Sequence, residues 1–223
     1  MRKFSLLLLP LLTVLGSYGQ SDQKFHFGLK AAPSICWMKS DTKGLNSDGS
    51  KIGFVYGLIT EFNFAKNYAF STGIEVAYRG GKFKQSFSYT DTTKVFESDN
   101  KLQYIELPLT LKLKTNEIGL ITYYLQAGIS PAFNIRARQD VKIAVQPKSG
   151  SSTNSDSSDI DIKDDINAFN INMVIGGGVE YSLSGNTALQ AGLTFSNGLL
   201  DVLDGSGSEA KTNYIALTIA VLF

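Results

Sequence analysis

Two neighbouring stretches alternate between apolar and polar residues, and this period of two constrains the fold more than any other feature of the sequence. Between Ile105 and Leu113 every odd position carries a large apolar side chain, whereas the even positions are mostly polar. Residues 123–136 alternate in the same way after a brief connection. A period of two is the pattern of a β-strand with two unlike faces, so the two stretches predict a β-hairpin.

The length of these strands indicates a membrane. Both strands are longer than the usual strand of about five or six residues in globular proteins. Their length approaches the roughly nine to eleven residues that a tilted strand needs to cross a bilayer. Six further segments alternate similarly, at about residues 25–37, 53–64, 68–79, 168–181, 189–196 and 213–223. We therefore expect an all-β fold, an eight-stranded antiparallel up-and-down transmembrane β-barrel.

The connections between these segments alternate between long and short. In an up-and-down barrel every second connection lies at the same rim, so the sequence predicts four long external loops and three short periplasmic turns. This asymmetry is typical of outer-membrane barrels. Both chain termini are then expected at the short-turn rim.

The first residues have the pattern of a secretory signal peptide. Arg2 and Lys3 precede an apolar run that is too short for a membrane-spanning helix and ends in small residues. We assign residues 1–19 to a cleaved signal and residues 20–223 to the barrel domain, which predicts export to the outer membrane of a Gram-negative bacterium.

The charge balance argues against a nucleic-acid partner. Cleavage of the signal leaves 19 basic and 20 acidic residues, and a formal net charge of −1 does not favour binding to nucleic acid. The single cysteine, Cys36, cannot form an internal disulfide.

The polar faces of the strands predict the barrel lumen. They are rich in glycine and serine, and an eight-stranded barrel has an interior that side chains just fill. The same faces carry four basic and four acidic residues, for which we expect ion pairs that fill the lumen, because unpaired charges there would be costly. This predicted lumen network, structural in role and a candidate gate, comprises Lys30, Glu61, Glu75, Arg79, Glu106, Lys112, Arg136 and Glu180.

Aromatic residues on the apolar faces collect toward the two ends of the strands. Two aromatic girdles are the signature of a barrel that meets both interfaces of a bilayer. The predicted girdle residues are Phe27, Trp37, Tyr56, Phe62, Phe64, Tyr78, Tyr123, Phe133, Phe169, Tyr181 and Phe195. A soluble lipocalin-like barrel, with its apolar faces turned inward, is the alternative interpretation of the same alternation.

Several segments also carry a family resemblance. The strand YIELPLTLKLK and the following YYLQAGISPAF, with EFNFAKNYAFSTGIEVAYRGGKF before them and IGGGVEYSL after them, resemble the PorT-like outer-membrane β-barrel proteins common in Bacteroidetes. The resemblance covers essentially the whole chain after the signal. It implies an eight-stranded outer-membrane barrel, and the namesake of the family takes part in protein secretion and gliding-associated export. The terminal Phe223 resembles the signal that such barrels present to the barrel-assembly machinery.

The sequence offers little for catalysis. His26 is the only histidine, so a metal site with two histidines cannot form, and a Ser/His/Asp triad would have to use His26. The glycine run at residues 176–178 lies within a predicted strand with no helix after it, which favours close packing over a phosphate-binding loop. The acidic segment at residues 156–165 lacks the spacing of an EF-hand. We predict no catalytic residue, no cofactor and no metal site.

Two functions from different classes remain. In the first, the barrel is a structural or interaction component of the cell envelope. In the second, it is a small-solute porin or channel. The expected partners are outer-membrane lipid and lipopolysaccharide, the barrel-assembly machinery during insertion, and an envelope or secretion protein. One polar region, with Lys82, Lys84, Tyr89 and Phe96, is a candidate contact for lipopolysaccharide phosphates or a partner protein.

Overall fold

Antiparallel strands make up most of the chain. The computed structural model describes residues 24–40, 46–89, 92–147, 153–205 and 209–223, so the predicted signal peptide lies outside the described residues. The strands are β1 Phe25–Ser40, β2 Asn46–Ser47, β3 Ser50–Ala65, β4 Tyr68–Ser88, β5 Thr92–Glu106, β6 Leu109–Lys114, β7 Ile121–Pro147, β8 Thr153–Asp161, β9 Phe169–Ser184, β10 Thr187–Gly198 and β11 Ala210–Leu222. A short 3-10 helix, Lys163–Asp165, precedes β9. No helix in these ranges is long and apolar enough to cross a membrane.

The strands close into a ring of eight, as the sequence predicts. Each neighbouring pair is antiparallel, in the order β1, β3, β4, β5 with β6, β7, β9, β10 and β11, and β11 pairs with β1. At the junction, the Phe223 amide donates to the Phe27 carbonyl at 2.7 Å, and the Phe27 amide donates back at 3.2 Å. Closure leaves no open sheet edge in the ring, which a bilayer interior would penalise.

Strands β5 and β6 together occupy one position in the ring. They are separated by Leu107 and Pro108, and proline has no amide hydrogen to give to a ladder. The Leu107 amide still donates to the Pro131 carbonyl of β7, at 2.9 Å. The interruption therefore does not open the wall.

The apolar faces point away from the barrel. Leu29 and Leu125 expose 61% and 65% of their surface, whereas Glu61 and Lys112 are wholly buried inside. This arrangement is the reverse of a water-soluble barrel, because it would leave large apolar side chains in water all around the wall. The outward assignment of the apolar faces is confirmed, and the soluble alternative is wrong.

Two of the four predicted long loops contain paired strands. The first lies at residues 80–101, between the predicted strand at 68–79 and the hairpin, yet β4 and β5 pair continuously from Glu75 with Glu106 to Ser88 with Thr93. Beyond Arg136, β7 continues to Pro147 and β8 adds to its edge. The prediction of loops here was wrong. A polar composition shows only that a segment cannot build an apolar core, whereas backbone hydrogen bonds can extend strands that are already paired in the barrel wall. We call β2, β8 and residues 82–88, 92–101 and 138–147 the projecting sheet.

Apolar side chains fill the mouth of the barrel at the same end. Ile162, Ile166 and Val202, from the long connections, pack on wall residues of five strands: Met38, Phe83, Leu102, Tyr104, Ala132, Ala137 and Ala210. We call these ten residues the mouth cluster. The two connections are bonded to each other, since the Asn167 amide donates to the Val202 carbonyl and the Asp204 amide to the Asp165 carbonyl, both at 2.8 Å. The mouth is therefore covered by chain that folds back across it.

Candidate functional site

The lumen near the short-turn rim holds a cluster of charges centred on Lys112. Alternation in β6 directs both Lys112 and Lys114 inward, toward Glu61 of β3 and Glu180 of β9. The Lys112 ammonium contacts both carboxylates, and the Lys114 ammonium lies 2.8 Å from Glu61 and 3.2 Å from Glu180. The Tyr124 ring lies 4.2 Å from the Lys112 ammonium, a cation–π distance. Two bases thus face two acids across the lumen.

A second group of charges lies nearer the mouth. The Arg79 guanidinium forms an ion pair with Glu106 and donates to the Asn172 side chain at 3.0 Å. It also lies 4.7 Å from the centre of the Tyr214 ring. Beside this pair, the Lys30 ammonium donates to Glu75 at 2.8 Å, and Glu75 is the cross-strand partner of Glu106. All four of these charges have a partner of opposite sign.

The balance of the whole network is four bases against four acids, but one member differs from the prediction. Seven of the predicted residues line the lumen: Lys30, Glu61, Glu75, Arg79, Glu106, Lys112 and Glu180. Arg136 does not, and the prediction was wrong for it. Gln103 pairs with Arg136 while Tyr104 pairs with Asn134, so β7 carries one extra residue here. This β-bulge reverses the alternation and leaves Arg136 exposed on the outer wall.

Lys114 takes the place of Arg136 in the network, and sequence reasoning missed it. The signal was available, because Lys114 continues the even-numbered polar face of the strand that carries Glu106 and Lys112. The neutral partners Asn172, Gln190 and Tyr214 were also missed. Asparagine, glutamine and tyrosine on a polar face give no pattern that separates them from a solvated surface.

The space left between these side chains is small. A cavity of about 20 Å³ lies beside Lys30, Glu75, Glu106, Gln126 and Tyr214. This volume is roughly that of a single water site. Wall glycines allow this close packing: a β-carbon at Gly178 would lie 2.1 Å from the Ala191 carbonyl oxygen. The lumen is a packed polar core, and the close-packing interpretation of the glycine run at residues 176–178 is confirmed.

His26 lies near the short-turn rim and faces Asn63. The Asn63 side-chain nitrogen is 3.2 Å from His26 Nδ1. No three histidine, cysteine, aspartate or glutamate side chains among the described residues gather as metal ligands.

The predicted girdle aromatics all lie on the outer wall. Toward the mouth, Trp37 stacks on Phe195 and Tyr56 on Tyr78, both at 6.3 Å, and the Phe133 and Phe169 rings are 5.2 Å apart. At the opposite rim, ring contacts join Phe25 to Phe62, Phe27 to Phe223 and Phe64 to Tyr68, while Tyr123 and Tyr181 are exposed nearby. The two aromatic bands flank the apolar part of the wall, and their contact with bilayer interfaces stays a prediction.

The projecting sheet has two unlike faces. One carries exposed ion pairs, with Lys84 at 2.8 Å from Glu97 and Lys101 at 2.5 Å from Asp140. The hydrogen bond and charge of Lys84 lower the pKa of the Glu97 carboxyl, and those of Glu97 raise the pKa of Lys84. The hydrogen bond from Lys101 likewise lowers the pKa of Asp140. This face is hydrophilic and salt-bridged.

The other face holds an aromatic groove of about 270 Å³. The Phe87 and Phe96 rings meet edge to face at 5.7 Å within it. Its lining contains no charged residue among those described: Phe83, Gln85, Phe87, Phe96, Ser98, Gln139 and Val141. The candidate contact region of the sequence is therefore divided, because Lys82 and Lys84 lie on the charged face and Phe96 on the groove face. Tyr89 lies beside Lys94, whose ammonium is 5.9 Å from the ring centre.

Comparison with known proteins agrees with this architecture. The family model described as an outer membrane protein beta-barrel domain matches residues 18–204. No curated protein matches the sequence.

Several solved structures of outer-membrane proteins are similar to this chain. The outer membrane protease OmpT from Escherichia coli superposes with a TM-score of 0.50 at 8% identity, covering 93% of this chain and 99% of that one. Neisserial surface protein A gives a TM-score of 0.46 at 15% identity, with 91% and 99% of the chains covered. OprG from Pseudomonas aeruginosa gives 0.38 at 11% identity, with 89% and 94% covered. At these identities the likeness concerns the fold alone.

Proposed function

As the chain belongs to the outer membrane protein beta-barrel domain family, we propose that it is a non-enzymatic interaction component of the envelope that presents its projecting sheet to a partner protein. It is an integral outer-membrane β-barrel, and the proposal concerns what that barrel does. The observation that carries it is a contrast between the two parts of the molecule. The lumen is filled and covered, whereas the projecting sheet is extended and accessible.

The filled lumen argues against transport as the main activity. Charged side chains from five of the eight ring positions meet inside the barrel, and a cavity of about 20 Å³ beside them holds roughly one water. A permeating solute would have to separate buried ion pairs such as Arg79 with Glu106, which is costly in a low-dielectric interior. The mouth cluster would also have to open.

The projecting sheet supplies what an interaction surface needs. Paired strands extend well beyond the aromatic band, and membrane insertion alone does not require them. The groove combines aromatic rings with uncharged amide and hydroxyl groups, a composition common in protein contact surfaces. In the described part of the chain, β8 pairs only with β7, so its other edge offers backbone groups to a further strand.

Catalysis finds no support at this surface. Although the Escherichia coli neighbour is a protease, the sole histidine of the present chain lies at the opposite rim from the projecting sheet. Catalytic bases in hydrolases are most often histidines. The proposed function is therefore recognition without chemistry.

The partner we propose is a protein of the envelope. The resemblance to PorT-like proteins supports a partner in secretion, and it rests on sequence segments within the barrel wall. A small-solute channel is the second candidate, supported by the eight charges that line the lumen. The two proposals differ in which part of the molecule does the work.

A groove variant tests the proposal directly. Phe87→Ser with Phe96→Ser removes both rings from the groove, whereas Val95→Ser, on the opposite face of β5, is a matched control. After crosslinking in native envelopes, we expect a defined partner with the wild type and with Val95→Ser, and its loss with the double variant. A partner that crosslinks equally to all three proteins would contradict the assignment of the groove, and heat-shifted electrophoretic mobility would verify that each barrel is folded.

A further inference from the structure

The bulge in β7 directs a cation out of the barrel at one place on the wall. Without the extra residue, the alternation that exposes Phe133 would place Arg136 in the lumen. Instead Ile135 and Arg136 are both exposed. β-bulges commonly re-aim a side chain in this way near functional sites.

Arg136 lies just beyond the aromatic band. It follows the girdle residue Phe133 by three positions along β7. Because of the bulge, the two residues are only two ladder positions apart, since Phe133 pairs with Ile105 and Arg136 with Gln103. At roughly 3.3 Å per position and a strand tilt of roughly 40°, Arg136 lies about 5 Å above Phe133. This is the depth at which lipid headgroups replace hydrocarbon.

The Arg136 side chain has no partner within the described ranges, where its guanidinium makes neither a hydrogen bond nor an ion pair. The neighbouring cations differ, because Lys51 is paired with Asp99, Lys101 with Asp140 and Arg138 with Asp161. Of these four cations, Arg136 is therefore the one left to meet an external anion.

A groove surrounds this guanidinium on the outer wall, with a volume of about 360 Å³. Its polar lining includes Gln103, whose amide donates to the Tyr78 hydroxyl at 3.3 Å. Its apolar lining includes Ile52, which is 89% exposed. Lys101 and Arg138 also line the groove, each within an ion pair, and Asp159 contributes one carboxylate. We call this site the Arg136 groove.

We propose that the Arg136 groove binds a phosphate monoester on the headgroup of an outer-leaflet lipid. The planar guanidinium suits bidentate donation to two phosphate oxygens, and the Gln103 amide lies beside it as a further donor. Ile52 and the apolar wall below the groove cover the acyl chains of the same lipid. The inference requires that the barrel lies in an outer membrane, and it is independent of the partner protein proposed for the projecting sheet.

Lipid retention tests the site. The full chain is assembled in phosphatidylcholine nanodiscs that contain either phosphorylated lipid A or the same lipid without its phosphates, and bound lipid is counted by native mass spectrometry after release. We expect the wild type to retain the phosphorylated lipid in preference to the lipid without phosphates. The amount of phosphorylated lipid retained by Arg136→Gln should be at least tenfold lower, and Arg136→Lys should retain an intermediate amount. Lys142→Gln, an exposed cation farther along β7, should behave as wild type.

Two results would overturn the proposal. One is equal retention of phosphorylated lipid by the wild type and by Arg136→Gln. The other is competition by inorganic phosphate at a concentration matched to the lipid, which would indicate a site for free phosphate. Because Arg136 is exposed and unpaired, its substitution should leave the heat-shifted mobility of the barrel unchanged. The partner crosslinking experiment is also unaffected by either result, so the two proposals fail separately.

Discussion

Lys112 and Glu61 form an ion pair in which both side chains are wholly buried, although their strands, β6 and β3, are not neighbours in the ring. Strand β4 lies between them, so the pair spans the lumen instead of following the wall. Glu180 of β9 meets the same ammonium from another side. The charges of this barrel therefore act as crosslinks between distant parts of the sheet.

Loss of Lys112 should destabilise the barrel strongly. Lys112→Met leaves two buried carboxylates to share the single ammonium of Lys114, and breaking a buried pair from one side costs about 3–5 kcal/mol. Urea unfolding of the refolded barrel in detergent measures the change. The double variant Lys112→Met with Glu61→Gln removes the uncompensated charge, and it should recover a large part of the lost free energy of unfolding. An unchanged unfolding midpoint in Lys112→Met would show that the cluster is not structural.

The ion pairs of the projecting sheet predict a depressed carboxyl pKa. Lys84 holds the pKa of Glu97 below its ordinary value of about 4.3, so the pair stabilises the folded sheet above that pH. The contribution is lost as pH falls through the folded-state pKa, because protonation of Glu97 removes the charge. It is small, since both groups are exposed.

Titration of the Glu97 side-chain carboxyl by NMR in detergent micelles measures this pKa. In the wild type we expect a value below that of an unpaired glutamate, and Lys84→Met should return it toward the ordinary value. A matched change elsewhere, Lys39→Met, should have no effect on Glu97. Identical Glu97 titration curves in the wild type and Lys84→Met would rule out the pair in solution.

The terminal aromatic should matter more for assembly than for the finished barrel. Phe223 closes the ring through its backbone, which Phe223→Ala preserves, and its ring adds one aromatic contact with Phe27 at 5.6 Å. If its side chain is an assembly signal, Phe223→Ala should reduce the amount of barrel in the outer membrane of cells while the purified variant still refolds in detergent. Phe64→Ala, at the same rim, is the control and should assemble normally. Equal membrane levels of the two variants would leave Phe223 with a packing role alone.

Much of the fold could be predicted from the sequence because the bilayer imposes one simple rule on the wall. Alternation predicted the eight strands, and the small residues on the polar faces together with the aromatic bands on the apolar faces assigned residues such as Leu29 and Leu125 to the hydrocarbon side. Arg136 escaped this reasoning, because a β-bulge is a property of the pairing between β5 and β7 and leaves no mark in either strand by itself. The projecting sheet escaped it as well, since polar strands outside the membrane carry no apolar alternation. The mouth cluster depends on where Ile162 and Val202 fold back, which no local pattern encodes.

Electrical recording tests whether the lumen is sealed, so that the working surface lies outside it. Purified wild-type protein is inserted into a planar lipid bilayer, and its insertion is verified by heat-shifted mobility of protein recovered from matched vesicles. We expect no stepwise conductance, because buried pairs such as Arg79 with Glu106 fill the lumen and the mouth cluster covers it. Regular conductance steps in the wild type, altered in size or ion selectivity by Glu106→Ala, would contradict it and establish a small-solute channel.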